Sequence, residues 1–131
     1  MRRSETLYIS IKTPFDKAWD LISHPENLNL WTVDFVLSSP KRKGDVYQVE
    51  TKRGFIDLFV KSNQETGIID FYFGRDGQYA CSPSRLLKND DGVLYIFTQF
   101  EPTSPAPELF EKLVSNVRKE LLILKDILES N

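Results

Sequence analysis

The 131-residue chain has one cysteine, one histidine and one methionine, and no glycine precedes Gly44 or follows Gly92. Each scarcity excludes something. A lone Cys81 cannot form an internal disulfide and gives no sign of an oxidising compartment, so a cytoplasmic setting is expected. With His24 as the single histidine, no zinc site of His/Cys type can be assembled, and only carboxylates would remain for a hard cation. No Gly-x-Gly-x-x-Gly or Walker-type loop is present, and the expectation is no cofactor and no metal. Positive charge is also missing in excess. Against 19 Asp+Glu stand 17 Lys+Arg, a net charge of -2, which argues against a nucleic-acid partner. The longest uncharged apolar run, Val93 to Phe100, is far short of the ~20 residues that cross a bilayer, so no transmembrane segment is expected. Met1-Arg2-Arg3 leads into Ser4, Glu5 and an alternating stretch instead of an apolar h-region, so no secretory signal is read.

What is present is an ordinary globular composition, 40% hydrophobic and 27% charged. A chain of this size buries roughly two-thirds of its unfolded surface, which suits one domain over residues 1–131. Leu7, Ile9 and Ile11 alternate with Thr6, Tyr8 and Ser10, the period of a half-buried strand. Thr13-Pro14-Phe15-Asp16 then offers an N-cap hydroxyl, a proline and an early carboxylate, followed by Phe15, Ala18, Trp19 and Ile22 on one helical face. Ser23-His24-Pro25-Glu26 repeats that device for a second short helix through Leu30.

Strands are predicted over Asp34 to Ser38, Asp45 to Thr51, Phe55 to Ser62, Ile68 to Phe73, Gln78 to Leu87 and Val93 to Phe100. The turns between them, Lys41 to Gly44, Lys52 to Gly54, Asn63 to Gly67, Gly74 to Gly77 and Asn89 to Gly92, contain all six glycines. Pro83 predicts a bulge or bend, because proline cannot donate to a ladder. A stretch opened by Pro105 and Pro107 carries Phe110, Leu113, Val114, Val117, Leu121, Leu124 and Leu128 at helical spacing to Glu129, a closing helix of roughly 36 Å. Several middle strands are apolar on both faces, so sequence parity leaves open which face is inside.

This order, with Pro14-Phe15-Asp16-Lys17-Ala18-Trp19, the Pro25-Glu26-Asn27 turn and Trp31, resembles the START-related superfamily of polyketide cyclases, aromatases, lipid-transfer domains and pollen-allergen proteins. The resemblance implies an α+β helix-grip fold: a curved seven-stranded antiparallel sheet around a long C-terminal helix, with two short helices after strand one. It implies a cavity between sheet and helix for a small hydrophobic or amphipathic molecule, with the turns holding Lys52, Arg53 and Arg75 at its mouth beside Glu101 to Ser104. A monomer or weak homodimer is expected.

The candidate lining is Trp31, Phe35, Tyr47, Phe59, Phe71, Phe73, Phe97, Phe110, Leu113 and Val117, since ligand pockets are mostly apolar with a few polar groups. Lys52, Arg53 and Arg75 would form an anion-binding rim, the arginine fork suiting a carboxylate or phosphate. The alternatives are a cyclase or aromatase, with an acid or base drawn from Asp57, Asp70, Tyr47, Arg85 and Gln99, and an interaction module resembling chaperone activators that works through its outer sheet face. No catalytic residue is assigned. Cys81 reads as a small residue within a strand, and Lys41-Arg42-Lys43 as a solvated loop.

Overall fold

The computed structural model describes residues 1–103 and 107–130. Ser104 of the expected mouth and Pro105 at the start of the closing helix lie outside the described residues. The first strand, β1 (Ser4–Ile11), keeps the predicted parity, with Leu7 and Ile11 buried and Thr6, Tyr8 and Ser10 exposed. After it come α1 (Phe15–Ser23), a 3₁₀ turn over Pro25–Asn27 and the one-turn α2 (Leu28–Trp31).

Both expected caps behave differently. Pro14 takes the N-cap position of α1 and no side chain caps it, while the Thr13 hydroxyl is drawn into the core and left without a partner. The Ser23 hydroxyl donates back to Trp19 O at 2.7 Å instead of opening the next helix, and the His24 ring sits on Asp20 O.

The sheet is built from β1, β2 (Lys41–Lys43), β3 (Val46–Thr51), β4 (Gly54–Asn63), β5 (Ile68–Arg75), β6 (Gln78–Ser82), β7 (Ser84–Asn89) and β8 (Gly92–Phe100). Its order is β1-β8-β7-β5-β4-β3-β2, with β6 also on β5 and every pairing antiparallel. The predicted break at Pro83 divides what would be one strand: β6 follows β5, then β7 crosses to β8.

Two expectations at the sheet's far edge exchange places. Asp34 to Ser38 forms no strand: residues 33–35 are a turn, in which Phe35 N and Val36 N both donate to Thr32 O, and beyond it Leu37 N alone reaches β3, donating to Glu50 O at 2.9 Å. The bonds to Thr32 O take the Phe35 and Val36 donors that a strand would need. Lys41–Lys43, expected as loop, pairs instead with Val46 to Gln48 across a turn whose Gly44 has φ 64°.

The last element, α3 (Pro107–Glu129), is 23 residues long and buries Phe110, Leu121, Leu124 and Leu128. It packs chiefly on β1, with further contacts to β8 and α2. Its C-terminal end is tied down by cations and backbone. Lys17 Nζ donates to Leu128 O and Ser130 O, and Glu129 accepts from the Lys12 N–H at 2.9 Å.

Candidate functional site

Cross-strand register settles the question that strand parity left open. Leu7, Tyr95, Leu86, Phe71, Leu58 and Val49 belong to one buried cluster and therefore mark the inner face, the one toward α3. On that face Ile56, Val60, Phe73 and Phe97 remain only half-buried, as do Val114 and Val117 on the helix. Because α3 lies toward the β1 side, the inner surface of β4 and β5 is covered in part by other groups. Phe35, from the turn after α2, meets Phe73 edge to face at 5.6 Å.

Of the ten predicted lining residues, the structure brings Trp31, Phe35, Tyr47, Phe71, Phe73 and Phe97 to this inner side. Trp31 is buried on α2 against Tyr95, and Phe71 lies 6.5 Å from Phe97. Tyr47 faces inward on β3 but sends its hydroxyl to Glu26 Oε2 at 3.0 Å. Val117 packs on the core from α3, Leu113 is half-buried on the same helix, and Phe110 is buried beneath the Arg3 guanidinium at 4.8 Å. Phe59 is a correction. It pairs with Tyr72 on the outer face, stacked at 4.9 Å and 3°, with Tyr79 edge-on at 5.0 Å. Its neighbour Leu58 takes the inner position, and adjacent strand residues point to opposite faces.

The basic turns do share one end of the sheet. Arg75 Nη2 donates to Arg53 O at 2.7 Å and its Nε to Phe55 O at 3.1 Å, so this guanidinium ties the β5 end to the β3–β4 turn. Arg53 and Lys52 are exposed. At the neighbouring corner Glu101 accepts from the Arg3 guanidinium at 2.8 Å, which holds its carboxyl below the usual range.

The polar groups expected for acid–base work do not converge. Asp57, Asp70 and Arg85 occupy outer-face positions, and Arg85 donates to Thr66 O. Tyr47 and Gln99 face inward but sit on β3 and β8, with β4, β5 and β7 between them.

Sequence reasoning missed the polar groups that the interior does contain. Glu120 is 5% exposed on α3, where its Oε2 accepts from Asp34 N at 3.0 Å. Burial, reinforced by the adjacent Asp34 carboxylate, pushes its pKa up to about 7 against the opposing backbone hydrogen bonds. Asp34 in turn pairs with Lys119 Nζ at 3.1 Å. Tyr95 is fully buried, and burial drives its hydroxyl pKa upward. The Ser84 hydroxyl lies beside the Tyr95 OH as its one polar neighbour, opposing that rise, and Trp31 Nε1 has no hydrogen-bond partner among the described residues. The signal was available: Glu120 interrupts the apolar stripe between Val117 and Leu124, and Tyr95 shares the parity of Val93 and Phe97.

Two surface clefts lie elsewhere. One of about 820 Å³ runs between the start of α1 and the β4–β5 hairpin, lined by Phe15, Asp16, Gln64, Arg85 and Lys88 among others. A second, of about 200 Å³, lies between the ends of β1 and α3. Among the described residues no helix is long and apolar enough to cross a membrane.

No family model matches the sequence, and no curated protein matches it. Solved structures do. The chain is similar to XoxI from Bacillus cereus, with a TM-score of 0.75 and 15% identity over 97% of this chain and 96% of that one. It is similar to the Aha1 dimer from Colwellia psychrerythraea, at 0.75 and 15% over 98% and 97%. It also resembles DynU16, a protein in the dynemicin biosynthetic locus, at 0.69 and 17% over 97% of this chain but 47% of that one, about half its length. At such identities the likeness establishes the fold, a helix-grip arrangement.

Proposed function

We propose that this chain is a START-related binding domain that holds a small hydrophobic or amphipathic molecule between the inner sheet face and α3. The observation that carries the reading is the set of inner-face apolar groups left half-buried, Ile56, Val60, Phe73 and Phe97 opposite Val114 and Val117. An apolar surface of that kind, wetted in the empty protein, gains by covering with a guest. Trp31, Phe35, Tyr47, Phe71, Phe110 and Leu113 complete the proposed lining, and Lys52 with Arg53 and Arg75 the rim. That Asp57, Asp70 and Arg85 lie on the outer face, with Tyr47 and Gln99 separated by three strands, favours a carrier or sensor over a cyclase or aromatase that draws its acid and base from them.

Native mass spectrometry of protein purified from its own host tests the reading by seeking a co-purifying lipid or polyketide. A guest at saturating concentration raises stability by about 2.7 kcal/mol at a hundredfold excess over Kd, a readily measured thermal shift. Apoprotein alone, with no shift across a panel of lipids and aromatic polyketides, refutes it.

A second reading, an interaction surface on the outer face, is favoured by the Phe59, Tyr72 and Tyr79 cluster and by Phe55 at 58% and Tyr8 at 72% exposure. The Aha1 neighbour is a dimer. Under this reading sedimentation gives a concentration-dependent monomer–dimer equilibrium that Tyr79→Ser weakens; a monomer at every concentration removes self-association from it.

A further inference from the structure

We infer that Glu120 is the latch of a lid: its carboxyl fastens the turn after α2 over the inner sheet face, and the tip of that turn lifts off Phe73 when the carboxyl ionises. The device rests on the binding reading above, because it sets how readily a guest reaches that face.

Two links from α3 hold the tip. Glu120, 5% exposed, accepts from Asp34 N at 3.0 Å, and the Phe35 backbone also donates to its carboxyl. The second link is the ion pair of Lys119 with Asp34. Phe35 lies edge to face on Phe73 at 5.6 Å, so a residue held by the latch is the one that covers β5. The base of the turn is closed separately, by Val36 N on Thr32 O at 2.9 Å, with Val36 buried in the core. What projects from that base is Val33, Asp34 and Phe35, none of them buried. Lifting these three residues breaks the links to α3 and the Phe35–Phe73 contact while the core stays packed.

Charge decides when the latch holds. A carboxyl withdrawn from water resists ionisation unless a cation compensates it. The charged groups acting on Glu120 are the Asp34 carboxylate from the turn and the Lys119 ammonium from α3 itself. That lysine has a side chain 63% exposed and is paired with Asp34 at 3.1 Å. α2 has no charged residue, and β1 and β8, on which α3 also packs, turn Leu7, Ile9, Tyr95 and Phe97 inward. Glu5 shares that parity but is exposed, and burial keeps the Tyr95 phenol neutral. Ionised in place, Glu120 would be a second carboxylate beside Asp34 with one solvent-facing cation between them. Lifting the tip parts the two carboxylates and admits water to Glu120.

The direction follows from linkage. With the tip closed Glu120 keeps its proton up to about pH 7, and in water its ordinary value is 4.5. The closed form therefore holds more protons than the open one between those limits, and the open-to-closed ratio rises about tenfold from pH 6 to pH 8.

Amide exchange followed by NMR, together with binding of N-phenyl-1-naphthylamine, a probe uncharged at both pH values, tests the device. Protection of the Asp34 and Phe35 amides, corrected for intrinsic exchange, should fall about tenfold between pH 6 and pH 8. It should not respond to urea below about 1 M, because a local opening exposes little surface. In Glu120→Gln, which keeps an acceptor and cannot ionise, protection should stay level. Probe affinity should rise about tenfold over the same interval in the parent protein and less than about twofold in the variant. Protection that stays level in the parent, falls equally in the variant, or drops with urea as the β8 amides do overturns the inference. So does probe binding of equal affinity at both pH values, since the tip would then cover nothing the guest uses. Tip amides that open as expected, with no probe bound at either pH, uphold the latch and count against the binding reading instead.

Discussion

Glu120 places a titratable carboxyl where α3 meets the turn after α2, and its protonation ties the fold's stability to pH. In the folded protein it holds its proton up to about pH 7, whereas in the unfolded chain it ionises above its ordinary value of 4.5. Between those limits the folded state binds more protons than the unfolded one, so stability falls as pH rises, by about 3 kcal/mol in total from this group. Glu120→Gln keeps an acceptor for the Asp34 N–H and cannot ionise. Urea denaturation should show it matching the parent protein near pH 5 and exceeding it by about 2–3 kcal/mol at pH 8. Parallel pH profiles for the two proteins would show that the carboxyl is not strained. At the same scale the exposed Arg3–Glu101 pair carries little, and Glu101→Gln should leave the urea midpoint close to that of the parent protein.

Among the elements, the β4–β5 hairpin and β7 meet at a point that only glycine fits. Gly67 has φ 77°, its N–H donates to Asn63 O and its carbonyl accepts from Leu86 N at 2.8 Å, and a Cβ there would strike the Leu86 carbonyl. Gly67→Ala therefore meets both a left-handed backbone and a backbone collision, and should cost about 2–4 kcal/mol. Gly77, at φ 75° with open space around the same position, is the control: Gly77→Ala should cost about 1–2 kcal/mol, from backbone conformation alone. Equal losses, read from chemical denaturation, would mean that the β7 crossing yields. Leu124, fully buried on α3, measures how firmly the closing helix grips β1; Leu124→Ala should cost about 2–5 kcal/mol.

Across the whole molecule, α3 packs chiefly on β1 while Ile56, Val60 and Phe73 on the inner face of β4 and β5 stay half-buried, and a guest that covered them would link binding to global stability. The rim adds a test of ligand charge. Arg75 already spends two donors on Arg53 O and Phe55 O, so its replacement loosens a hairpin whichever ligand is present. Arg53, whose side chain is exposed, is the cleaner probe. If the rim meets an anionic head group, Arg53→Ala should weaken laurate binding about threefold to tenfold and leave lauryl alcohol unchanged in calorimetric titration. Equal effects on both would remove the rim from the ligand.

The sequence by itself determined the elements whose signal is local. The β1 alternation, the apolar stripe ending at Leu128, the glycine turns and the Pro83 break follow from the pitch of a helix, the pleat of a strand and the missing N–H of proline, and all stand in the structure. Tertiary structure decided what depends on partners distant along the chain. Phe59 and Phe71 are both aromatics in apolar strands, and only the pairing of β4 with β5 turns one outward and the other inward. Asp34 to Ser38 has strand composition, but Glu120 takes the Asp34 N–H and Thr32 O those of Phe35 and Val36, leaving Leu37 alone to bond to β3. Glu120 and Tyr95 look like ordinary members of α3 and β8 until packing removes their water, since desolvation belongs to the assembled core and to no segment of the chain.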